Sequence, residues 1–140
     1  MTAVAARPLL AMVPVLGLLQ GCLPGEPVRL PVTRASGRDL TIWTVATRRV
    51  EEGLLVHGVV RGAPLALGPI HGHLHVVATP RDGGAPIVVD TNWGSMSGGK
   101  SRLADFYATV PVADTRTLAA VSVAYVATSD AATPNLDIKQ

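Results

Sequence analysis

From Val28 onward the chain alternates apolar and polar side chains with a period of two. Val28, Leu30 and Val32 are interleaved with Arg29, Pro31 and Thr33, and Leu40, Ile42 and Thr44 with Thr41, Trp43 and Val45. Five further runs follow: Leu54 to Arg61, His71 to Thr79, Ala85 to Thr91, Leu103 to Val110 and Leu118 to Thr128. All are rich in the valine and threonine that a pleated surface favours. Turn-forming clusters separate them at Ala35-Ser36-Gly37-Arg38-Asp39, Glu51-Glu52-Gly53 and Pro80-Arg81-Asp82-Gly83-Gly84. No segment carries an apolar stripe at helical spacing. About seven short strands bounded by turns predict an all-β fold, a single antiparallel β-sandwich over residues 28–128 of immunoglobulin- or fibronectin-like type. Its core is expected to be Val, Leu, Ile and Ala, with Trp43, Phe106 and Tyr125 as the large fillers. The polar tail 129–140 is expected to be flexible.

The first residues follow another pattern. Leu9 to Leu19 is an unbroken apolar run behind the single basic side chain Arg7, the order of an export signal. It is too short to span a bilayer, which takes about 20 apolar residues. The run ends in Leu19-Gln20-Gly21-Cys22. This resembles the lipobox of bacterial lipoproteins. The resemblance implies a signal peptide over 1–21, acylation of the Cys22 thiol, cleavage between Gly21 and Cys22, and a membrane partner reached through the lipid. Residues 22–27, with Pro24, Gly25 and Pro27, then read as a short tether. Leu23 follows the cysteine where an aspartate would signal inner-membrane retention, so a Gram-negative source implies the outer membrane.

Composition sharpens this picture by exclusion. With 48% hydrophobic and 16% charged residues the chain is too apolar to stay disordered. At 140 residues it is far below the roughly 250 that a (β/α)₈ barrel needs. The 12 basic residues against 10 acidic fall to 11 against 10 once Arg7 is cleaved away. That leaves no basic footprint for nucleic acid, and an envelope protein is the expected partner. The one cysteine can form no disulfide within the chain.

Candidate chemistry concentrates in His71-Gly72-His73-Leu74-His75. On a strand, residues two apart share a face about 6.6 Å apart. His71, His73 and His75 are therefore a candidate site for Zn or Cu, with His57, Asp82 or Asp90 as possible additional ligands. The alternative is a solvated polar face, or one that responds to pH. Gly72-His73-Leu74-His75 looks locally like the copper strand of Cu/Zn superoxide dismutases, and its His-x-His like that of cupins. Four histidines, no spare cysteine and no Glu between Val76 and Arg81 exclude membership of either. The run Gly72 to Val76 is also similar to small exported bacterial proteins of uncharacterised function.

Gly94 to Ser101 fits the phosphate-loop pattern G-x-x-x-x-G-K-S. The segment ahead of it is not a strand leading straight into the loop, and the segment after it reads as strand rather than helix. It is therefore expected to be a connecting loop. With no nucleophile elbow and no paired carboxylates, the chain reads as a non-catalytic binding or structural module.

Overall fold

A computed structural model describes residues 23–64, 68–98 and 101–128. The signal, Cys22, Lys100 and the tail 129–140 lie outside them. Two four-stranded sheets face each other. The first orders β1 (Glu26–Pro27), β3 (Leu40–Val50), β4 (Gly53–Gly62) and β7 (Leu103–Pro111) side by side; the second orders β2 (Val32–Ala35), β8 (Leu118–Ala127), β5 (Gly72–Pro80) and β6 (Ile87–Thr91). Among the described residues the only helical element is a single 3₁₀ turn at Thr115–Thr117. All neighbouring strands are antiparallel except β2, which runs parallel to β8.

Alternation along β4, β5, β7 and β8 fills the space between the sheets. Leu54, Val56 and Val60 meet Phe106, Ala108 and Val110 from one sheet, and Leu74, Val76, Val121 and Val123 from the other. Phe106 is the largest buried side chain, 1% exposed. Its neighbour on β4 is Gly58. A Cβ there would lie 1.9 Å from the Thr44 carbonyl oxygen and 2.9 Å from the Phe106 ring, so only glycine admits both.

Trp43 is not a core filler. A β-bulge between Ile42 and Thr44 inserts one extra residue, and that residue is Trp43. The insertion reverses the alternation. Leu40 and Ile42 point inward before it, whereas Val45 and Thr47 turn inward after it, and Trp43 is left 51% exposed. The buried Thr47 hydroxyl is satisfied by donating to the Val28 carbonyl at 2.7 Å. Tyr125 does pack against the core, at its end, where its ring meets Trp93 at a centroid distance of 6.0 Å.

The folded unit begins ahead of Val28. Glu26 and Pro27 pair with Arg49 and Arg48 on β3, and the Arg48 side chain donates to the Pro24 carbonyl at 3.1 Å. Residue 24 therefore sits at the end of the sandwich marked by the Glu51-Glu52 turn. The chain Val28 to Pro31 crosses between the sheets instead of forming a strand, and pairing resumes at Val32.

Candidate metal centre

The outer face of the second sheet carries the histidines. Leu74, Val76 and Ala78 of β5 are buried, so His73, His75 and Val77 project outward. The turn Pro80 to Gly84 returns the chain as β6, with the Asp82 carboxylate accepting from the Gly84 N–H at 2.8 Å. This hairpin sets Asp90 directly beside His75. The His75 Nδ1 lies 2.6 Å from Asp90 Oδ1, and the His73 Nε2 lies 3.6 Å from the same oxygen. The two imidazole centroids are 6.5 Å apart with their planes inclined at 68°. One donor atom from each of His73, His75 and Asp90 lies within 4.8 Å of the other two.

These distances suit one ion. Ligand bonds of about 2.0–2.2 Å place tetrahedral donors roughly 3.3 Å apart, so donors that now lie within 4.8 Å close on a metal by side-chain rotation that shortens the widest pair by up to about 1.5 Å. Two imidazole nitrogens and one carboxylate oxygen form a borderline donor set, favouring Zn²⁺, Cu²⁺ or Ni²⁺ over Mg²⁺ or Ca²⁺. The side chains are 35%, 38% and 56% exposed, so the outer coordination positions open to solvent.

His71 does not join the site. It precedes β5 and is exposed, and its carbonyl accepts from the Tyr125 hydroxyl at 2.8 Å. Gly72 has φ +141°, a conformation that only glycine adopts readily. The strand's alternation therefore begins after His71. The expected three-histidine ligand set is replaced by two histidines and Asp90. Asp82 is engaged in its own turn, and His57 lies on β4 in the opposite sheet. The sequence signals the hairpin that brings Asp90 back but not its register. Pro80 to Gly84 marks the turn, but the last strand pair is Ala78 with Ile87, so eight residues intervene and no two-residue turn dictates the pairing.

His57 occupies a different environment. It faces outward from the first sheet and stacks on Tyr107 at 6.4 Å. Its Nε2 is buried without a hydrogen-bond partner. Burial and the Arg48 guanidinium on β3 lower its pKa below the ordinary 6.5, while Asp105 on β7 opposes them. The folded protein thus binds this proton less readily than the unfolded chain. Stability contributed by neutral His57 is present above about pH 6.5 and declines as pH falls from there toward the lowered folded value. His57→Gln is expected to flatten this decline, read as urea midpoints at about pH 7.5 and pH 5. Identical slopes for wild type and variant would show that other groups carry the pH dependence.

Gly94 to Ser101 falls between β6 and β7, and the described residues from Ser101 onward lead into β7 and not into a helix. Trp93 bridges Phe106, Gly94 N–H donates to the Asp105 carbonyl at 2.9 Å, and the Ser97 hydroxyl donates to the Ser101 carbonyl at 2.7 Å. The loop is stitched to the strand that follows it. Trp93 packs at the sheet margin against the core.

No protein-family model, no curated protein and no solved structure matches the chain.

Proposed function

We propose that this is a lipid-anchored protein of the bacterial cell envelope whose non-catalytic β-sandwich binds a divalent transition metal, Zn²⁺ or Cu²⁺, at His73, His75 and Asp90. The observation that carries the metal reading is the convergence of three donor atoms, from two adjacent strands, within 4.8 Å. The anchor reading rests on Leu19-Gln20-Gly21-Cys22 and the apolar run ahead of it.

The two parts fit one another in space. Residue 24 leaves the sandwich at the Glu51-Glu52 end, whereas β5 starts at the opposite end, where Gly62 approaches Ile70. His73 and His75 lie in the first half of β5. An anchor at Cys22 would therefore hold the site toward the end away from the membrane. Kinship with immunoglobulin-like sandwiches belongs to the same proposal. It is supported by the N-terminal segment changing sheets and by the parallel β2–β8 pair, while the β3–β4 hairpin within one sheet departs from the usual order.

Calorimetric titration of the full-length protein in detergent with Zn²⁺ and with Cu²⁺ tests the metal reading. His73→Ala/His75→Ala removes two of three donors and is expected to weaken binding by about 100-fold or more, since even outer-shell changes cost about 10–100-fold. Equal binding by wild type and variant would reduce the triad to a polar surface.

A further inference from the structure

We propose that one divalent metal ion joins two copies of this chain face to face through His73, His75 and Asp90 of each. This rests on the metal reading above and specifies its partner. The first argument is incompleteness. Among the described residues no fourth His, Cys, Asp or Glu converges on the triad. The residues flanking the triad on β8 and beyond it on β2 are Ala124, Val126, Ser122, Ala35 and Thr33, all too short to add a strong ligand. The open coordination positions must be filled from outside the chain.

Charge selects the occupant. Asp90 is the only Asp, Glu, Lys or Arg among the strand residues that face outward on this sheet. Two such faces brought together without metal oppose one carboxylate to another. One divalent cation between them neutralises both carboxylates. If each copy instead holds its own ion, each face becomes net positive and the pair repels. The geometry allows sharing. Facing sheets pack about 10 Å apart, so the midplane is about 5 Å from either backbone, within the reach of an imidazole or carboxylate. Four of the six donors then complete a tetrahedron, or all six an octahedron. The arrangement is isologous, the same patch serving on both sides.

The size of the face gives the ion a role. Strands of 4, 10, 9 and 5 residues, rising about 3.3 Å per residue and spaced about 4.8 Å apart, present roughly 440 Å² in projection. Surface relief included, the face is at or below the roughly 800 Å² of accessible surface per partner typical of stable pairs. The small, partly apolar face, with Val88 half exposed, packs a second copy but does not hold it alone.

Sedimentation velocity of the full-length protein in density-matched detergent decides the matter, with Zn²⁺ at zero, half and two equivalents per chain. The expected series is monomer, dimer, monomer, with calorimetry showing one ion per two chains at the first inflection. Ser122→Arg on β8, or Val88→Arg on the edge strand, places a bulky charge on the face without touching a ligand. Both are expected to retain Zn²⁺ and remain monomeric at half an equivalent. A wild-type monomer that binds one Zn²⁺ per chain overturns the shared ion and leaves the metal site standing. A dimer carrying two ions, or one unaffected by both arginine variants, also overturns it. No Zn²⁺ binding removes both proposals together.

Discussion

Phe106→Ala is expected to lower the unfolding free energy by about 3–5 kcal/mol, measured by urea denaturation. The magnitude follows from where the ring sits. It is 1% exposed, and it lies over Gly58, which has no side chain to move into the space left behind. Backbone contacts limit collapse from the other side, because Trp93 bridges Phe106 and the Thr91 hydroxyl donates to the Tyr107 carbonyl at 2.7 Å. A cavity that cannot collapse adds to the lost transfer free energy. With total stability of small domains near 5–15 kcal/mol, the loss is a large share. Trp43→Ala removes a ring of greater size, but one that is half exposed at the bulge. Its cost is expected to stay below about 1 kcal/mol, close to that of ordinary surface substitutions. If the two variants lose equal stability, the division into a buried Phe106 and an outward Trp43 is wrong.

Cys22→Ser is expected to abolish lipid attachment entirely. Sulfur is the atom that would carry the diacylglycerol, and a serine hydroxyl cannot form the thioether. Each buried CH₂ contributes about 0.8 kcal/mol and one acyl chain binds a membrane only reversibly, so firm anchoring needs the two or three chains of a processed lipoprotein. Labelled palmitate incorporation should fall to background in the variant. Mass spectrometry should show the chain uncut between Gly21 and residue 22. Wild-type protein should begin at an acylated Cys22. Normal processing of the serine variant would remove the anchor from the functional proposal and leave the metal site untouched.

Local pattern determined much of this protein. Period-two alternation of Val, Leu and Ala follows directly from the pleat, in which successive side chains take opposite faces. It therefore identifies the all-β class and the inward residues of β4, β5, β7 and β8. It also places His73 and His75 on one outward face. The cluster Pro80 to Gly84 marks the turn that brings the next strand back beside β5.

Tertiary structure decided what depends on a partner strand. The bulge at Trp43 exists only because β3 must stay in register with β4 on both sides of it, and no property of Trp43 alone reveals that its neighbours change face there. His71 left the site because Tyr125, 54 residues away, takes its carbonyl and Gly72 turns at positive φ. The parallel pairing of β2 with β8 joins chain segments nearly ninety positions apart, beyond the reach of any local signal. A two-residue period fixes which side chains share a face within one strand. Which face meets the core, and which second strand completes a site, are settled only when distant strands compete for the same edges.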